Sequence, residues 1–315
     1  LDKELEGIER LRIRGEVEKL IKLLSAKNPK IRALVAEALG DFEREDVIDA
    51  LLQALKDEDQ HVRWNAAKSL LYISKDKIER LVEEFYRSDS VYQKISLIWI
   101  FGRVGDRKAS KAVLHAFGSA DRYLRRASAI AMGRIADPKF VQPLLVGAKD
   151  SDPGLRKRAL EALARMGAGE AETAFLDALL DSSPEVRRTA AKCLEKIGWR
   201  PKSGEEFARY LLSLKIGSKL VMLGDQAIEP LLDAIRSGDR DLKDFASEVI
   251  SSIGTRKAIK ALESLKDEDE VVRYYAVKSL VKIGKEAEKE ISAFLEDPNP
   301  RIREIAEKFK NSSRA

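Results

Sequence analysis

Nine times along the 315-residue chain an aliphatic residue, usually followed by arginine, stands three positions after a residue that caps helices well. That recurrence limits the fold more than any other property of the sequence. Taking the aliphatic residue as an anchor, the positions are Ile31, Val62, Val91, Leu124, Leu155, Val186, Leu242, Val272 and Ile302. They are separated by 31, 29, 33, 31, 31, 56, 30 and 30 residues. The capping residues are Asn28, Asp59, Ser88, Asp121, Asp152, Ser183, Asp239, Asp269 and Asn299. Each has a side-chain oxygen able to accept a bond from an unpaired N–H of a first helical turn. Pro29, Pro153, Pro184 and Pro300 follow directly, at the helical position where a missing N–H costs nothing.

After each anchor, apolar residues fall at about +4, +8 and +11, as in Val186, Ala190, Leu194 and Ile197. This is one stripe of a 3.6-residue period. Glycine commonly ends the segment, as at Gly167, Gly198, Gly254 and Gly284. Upstream of each cap lies a second amphipathic stretch, such as VIDALLQAL (47–55), AIEPLLDAI (227–235) or AIKALESL (258–265). Each unit therefore reads as a helix hairpin of about 30 residues that buries its stripe only by stacking on its neighbours.

Copies such as DSDPGLRKRALEALARMG (150–167) and DEDEVVRYYAVKSLVKIG (267–284) carry the pattern most fully. It resembles HEAT repeats of the phycobilisome-lyase type, across roughly residues 16–310. The resemblance implies an all-α, right-handed α-solenoid of about nine hairpins, with one irregular insertion. The expected division is residues 1–198 for repeats one to six and 226–315 for repeats seven to nine, with 199–225 between them. The fold alone does not fix a function, because repeats of this kind serve unrelated roles.

Within SSPEVRRTAAKCLEKIGW (182–199), Cys193 occupies +7, where other repeats place Ser69, Ala131, Ala162 and Ser279. That makes it a small packing residue. Arg187 occupies +1, in register with Arg32, Arg63, Arg125, Arg156, Arg273 and Arg303; Tyr92 and Lys243 are the exceptions. The resemblance implies that this arginine reaches an acidic or carbonyl group of a neighbouring repeat, forming a ladder.

Positions +2, +6 and +9 point away from the stripe, with +3 and +10 on its flank, and the resemblance places these helices on the concave surface. Repeats two and three put Trp64, Tyr72, Leu97, Ile100 and Phe101 there. Repeats four to six put Arg126, Arg134, Lys157, Arg158, Arg165, Arg188, Lys192 and Lys196 there, opposed by Glu161 and Glu195. Repeat eight adds Tyr274 and Tyr275. Like charges on parallel helices repel, and nothing in the fold requires them. A groove for an acidic partner flanked by aromatic anchors is the expectation. The nearly doubled gap after Val186 contains WRPKSGEEFARYLLSLKIGSKLVMLGD (199–225), whose Trp-Arg-Pro step breaks a helix. Trp199 and Tyr210 make it a second candidate contact site.

The motifs of catalysis are missing. Only His61 and His115 exist, neither followed by glutamate, and one cysteine cannot build a zinc site or an internal disulfide. No Walker loop, nucleophile elbow or dinucleotide fingerprint is present. MGAGE (166–170) is a junction between repeats. No metal or other cofactor is called for, and no small-molecule substrate is evident.

Of the residues, 44% are hydrophobic and 35% charged, which excludes disorder, and charges interrupt every apolar run that could span a membrane. No secretory leader opens the sequence, although Leu1 in place of methionine leaves the true start open. A single cysteine fits the cytoplasm. Abundant Lys, Glu and Arg with scarce Asn, Gln, Met and Cys resembles proteins of hot habitats. The balance of 58 Lys+Arg against 53 Asp+Glu is only +5, so clustering matters more than the total. The function expected is a non-catalytic scaffold or adaptor gripping an acidic or extended protein segment. Two alternatives are a nucleic-acid binder using the same bases, and an enzyme resembling bilin lyases.

Overall fold

A computed structural model of the chain describes residues 2–312, which fall into two compact units divided between Ala168 and Gly169. Among these residues every regular element is helical. The first unit opens with the helix Asp2–Ile13 and continues as hairpins. Their second helices are Pro29–Ala38, Gln60–Ile73, Val91–Val104, Arg122–Ile135 and Pro153–Met166. The second unit carries Pro184–Lys196, Arg240–Ile253, Glu270–Ile283 and Pro300–Ser312 as the matching helices. The stacking is all-α and solenoidal within each unit: each second helix of the first unit rests on the next, and in the second unit Arg240–Ile253 rests on Glu270–Ile283 and that helix on Pro300–Ser312. No described helix is long and apolar enough to cross a membrane.

The anchors and stripes form the core as the periodicity requires. Leu124, Met132 and Ile135, or Leu155, Ala159 and Leu163, are buried along their helices. Cys193 is buried with Ala131, Ala162, Ser69 and Ser279 in the same small-residue slot. Eight of the nine second helices have a cap whose side chain accepts a first-turn N–H: Asn28, Asp59, Ser90, Asp121, Asp152, Asp239, Asp269 and Asn299. Ser183 holds the cap position without that bond.

The +1 arginines clamp the turns. Arg125 donates to the carbonyls of Ser119 and Ala120 in its own hairpin, both at 3.0 Å. Arg32 binds its own turn likewise and reaches the next repeat's Asp57 through two bonds of 2.7 and 2.8 Å. Arg273 does the same with Asp297. The ladder is thus carbonyls within the repeat and a carboxylate in the next. Arg187, only 2% exposed, joins the carbonyls of its turn to Asp239 at 2.6 Å.

Repeat three corrects the sequence alignment by two residues. Its cap is Ser90, accepting from Gln93 N–H, while Ser88 lies in the turn and accepts the backbone N–H of Ser90. Asp57, Asp150 and Asp297 make the same turn bond two residues before their caps. The anchor is therefore the buried Gln93, and Val91 is exposed. Spacing becomes 31 residues on both sides, from Val62 to Gln93 and from Gln93 to Leu124. Leu97, Ile100 and Phe101 then fall at +4, +7 and +8, and all are fully buried. They belong to the core, not to an outward face. Because Ser88 stands where other turns have aspartate, Arg63 finds no carboxylate there and instead lies 4.2 Å from the centre of the Tyr92 ring.

The long gap is filled by helices Gly204–Ser213 and Gly217–Leu223, the second packed against Arg240–Ile253 as second helices pack elsewhere. This is a shortened hairpin, with Ala208, Leu211, Leu212 and Leu220 joining the core of the second unit.

Candidate functional site

Counting from the corrected anchors, position +10 holds Tyr72, Arg103, Arg134 and Arg165 in four successive repeats. The last turns of their helices surround a recess of about 600 Å³ in the first unit, with Lys75, Leu71, Gly102 and Val104 completing its wall. Glycine at +9 brings the helices close enough for this. A Cβ on Gly102 would lie 2.8 Å from Ala131 Cα, and one on Gly133 would lie 2.7 Å from Ala162 Cα. Neighbouring backbones touch there, so the arginine that follows each glycine opens into the same space.

The electrostatics of the recess are one-sided. Among the described residues, Lys75, Arg103, Arg134 and Arg165 have no ion pair and donate no side-chain hydrogen bond. Arg103 lies 5.8 Å from the Trp99 ring centre and Lys75 lies 5.7 Å from that of Tyr72. Burial, together with the like charges of Arg103 and Arg165, holds the Arg134 guanidinium below its ordinary pKa range. Arg103 was invisible to the sequence alignment because repeat three was out of register. The 31-residue spacing and the left-handed Gly105 two residues later are the signals that reveal it.

An aromatic patch lies on the same helices. Trp64, 54% exposed, meets Trp99 edge to face with ring centres 4.9 Å apart. Trp99 stands four residues before Arg103, so patch and recess adjoin along one helix. Tyr72 and Tyr123 are also exposed.

The other residues singled out from sequence divide differently. Arg126 is taken up by Asp152, which accepts from its Nε at 2.6 Å and from a terminal nitrogen. Those bonds, with backbone N–H groups of the first turn, hold Asp152 at a pKa of about 2. Arg158 pairs with Glu161 at 2.7 Å, and Lys157 is half-buried. In the second unit Arg188, Lys192 and Lys196 are exposed along Pro184–Lys196. Tyr274 is exposed, but Tyr275, at +3 on the flank of the buried stripe, is 5% exposed and packs into the core. The adjoining cleft of about 550 Å³ contains its own acids, with Lys278 bound to Asp244 at 2.8 Å.

Trp199 and Tyr210 do come together, with ring centres 5.7 Å apart, and both are half-buried. The Tyr210 hydroxyl donates to Glu195 at 2.6 Å, and burial with that carboxylate pushes its pKa up to about 12. The Trp199 Nε1–H is buried without an acceptor. Among the described residues, no three His, Cys, Asp or Glu side chains gather as a metal site.

A sequence model of HEAT repeats matches residues 17–90, 78–153 and 141–215, together more than half of the chain. No curated protein matches it. Similar solved structures include YibA of Escherichia coli, at 17% identity over 89% of this chain and 96% of that one, with a TM-score of 0.48. Kap95p, from a complex with RanGDP, is 15% identical over 92% of this chain and 50% of its own, with a TM-score of 0.49. The CpcE–CpcF phycocyanin lyase of Nostoc sp. PCC7120 is 20% identical over 88% and 92%, with a TM-score of 0.34. The repeat matches, the caps and the arginine clamps agree, and the chain belongs to the HEAT-repeat family.

Proposed function

We propose that this chain is a non-catalytic, cytoplasmic interaction scaffold that holds an acidic segment of a partner protein across the second helices of its first unit. The observation that carries the reading is the convergence of Arg103, Arg134 and Arg165 on one recess that has no carboxylate in its wall. Several other cations of that unit are matched by acids, as in Arg32–Asp57, Arg44–Asp46 and Arg126–Asp152. Repulsion left uncompensated within the chain is relieved when an anion from outside binds. Trp64 and Trp99 offer the amphipathic ring surface that anchors a segment's apolar side chains. The wall supplies cations and a phenol, with no imidazole or carboxylate to move a proton, which favours binding over chemistry.

The test is a titration of a labelled Glu-rich peptide with spaced leucines against wild type and an Arg103→Glu, Arg165→Glu variant whose helicity is unchanged. A lysine-rich peptide and a single-stranded RNA serve as comparisons. Loss of about tenfold or more in acidic-peptide affinity supports the scaffold. Equal affinity for both proteins overturns it. RNA binding tighter than the peptide, with the log–log salt dependence of phosphate neutralisation, reassigns the face to nucleic acid.

A further inference from the structure

We infer that the anion taken up by Arg103, Arg134 and Arg165 is a doubly charged phosphoryl group carried on a hydroxyl side chain of the partner segment. This rests on the scaffold reading and names the chemistry its recess selects.

Three guanidinium groups and the Lys75 ammonium line one space of about 600 Å³. A side-chain carboxylate brings one negative charge and two oxygens, enough for one bidentate arginine. It would leave the remaining cations facing one another. A phosphoryl monoester brings close to two charges and three terminal oxygens, one for each guanidinium fork. Arg134 sits between the other two along the row and is the most desolvated of them. A partly dehydrated, charge-crowded donor gains most from a dianion, because the Coulomb interaction strengthens as water is excluded.

The same arrangement disfavours a nucleic-acid backbone. Phosphodiesters carry single charges strung along a track, and their binders spread bases along it. Here four cations without an ion pair line a single recess, while Arg126, two turns earlier on the Arg134 helix, is bound to Asp152. A recess of high charge beside the exposed Trp64 and half-buried Trp99 fits one modified residue with apolar neighbours.

The experiment uses the full chain and three 12-residue peptides identical except for a central Ser, phosphoserine or Glu, flanked by leucines, titrated at pH 5.0 and pH 7.5. The expected order is phosphoserine at least about tenfold tighter than Glu, with Ser weakest. Phosphoserine affinity should rise several-fold from pH 5.0 to 7.5, as the second phosphate proton leaves near pH 6. The groups facing the recess are Tyr72 and Lys75 from one repeat, then Arg103, Arg134 and Arg165 from the next three. None is a histidine or a carboxylate, so this pH dependence would belong to the ligand. An Arg134→Lys variant, checked for an unchanged melting temperature, keeps the charge but loses one fork and should narrow the preference for phosphoserine over Glu without abolishing it. Equal wild-type affinity for phosphoserine and Glu peptides, or no change with pH, overturns the phosphoryl assignment while leaving the scaffold. Failure of all three peptides removes both readings. A 5′-phosphorylated RNA binding more tightly than the phosphopeptide overturns the protein-borne source.

Discussion

Arg126 and Arg134 share a helix and a charge, yet their surroundings give them opposite roles. Arg126 is neutralised by Asp152, whose side chain is only 12% exposed and also caps its own helix. Asp152 titrates at about 2 rather than at its ordinary 3.8. A carboxylate with a lowered folded-state pKa contributes stability that is present above its unfolded value and lost as pH falls through the folded one. The window is therefore pH 4 to 2, and the contribution is on the order of 2 kcal/mol at neutral pH. Asp57, Asp239 and Asp297 are lowered as well and lose stability in the same direction. Asp152→Asn keeps the capping oxygen and removes the charge. Urea midpoints measured from pH 5 to 2.5 should fall more steeply for wild type than for Asp152→Asn, and parallel slopes would refute the pairing. Neither partner choice was visible in sequence, because the acid lies 26 residues from Arg126 and does duty as a cap. The surplus of bases was legible there, but which of them remain unmatched was not.

Helix packing sets the next scale. A Cβ on Gly133 would overlap the neighbouring backbone at Ala162, whereas one on Gly7, inside the helix Asp2–Ile13, would meet nothing within 4 Å. The two substitutions should have opposite signs. Gly7→Ala gains helix propensity and should stabilise by about 1 kcal/mol. Gly133→Ala gains the same propensity but must push two close-packed helices apart, for a net loss on the order of 1–2 kcal/mol. Melting temperatures of the two variants should move in opposite directions, and a rise in both would mean that the second helices are not in backbone contact. Such contact is also what unites the +10 arginines, so Gly133→Ala should weaken acidic-peptide binding as well.

The hairpins, caps and stripes were legible in sequence because each repeats the same local chemistry. Repeat three failed because Ser88 and Ser90 can both cap and Val91 can imitate an anchor, while the real anchor is a glutamine. Its Gln93 is tolerated in the core because its amide donates to Leu52 O at 2.8 Å and to Glu84 at 3.0 Å. An apolar-pattern search passes over a buried polar residue, here one whose amide nitrogen finds two acceptors while its Oε1 is buried without a partner. That slip of two residues turned Leu97, Ile100 and Phe101 outward and hid Trp99 and Arg103.

Over the whole molecule the charge is unevenly divided. Residues 1–168 hold 32 Lys+Arg against 26 Asp+Glu, a net +6, while residues 169–315 hold 26 against 27, a net −1. The near-neutral total therefore conceals a basic first unit, and within it residues 101–168 alone hold 14 bases against 6 acids. Long-range attraction follows net charge, but selective binding follows local arrangement. Two double variants separate them. Arg103→Gln with Arg165→Gln and Lys192→Gln with Lys196→Gln each remove two exposed positive charges, from the first and second units respectively. If the recess is the site, the first pair should lower acidic-peptide affinity about tenfold or more at 150 mM salt. The second should change it by less than about twofold at that salt, because neither lysine lines the recess and screening weakens a general attraction between exposed charges. Equal losses from the two pairs would mean that the chain attracts anions by its overall field, and the convergence of Arg103, Arg134 and Arg165 would then have no part in recognition.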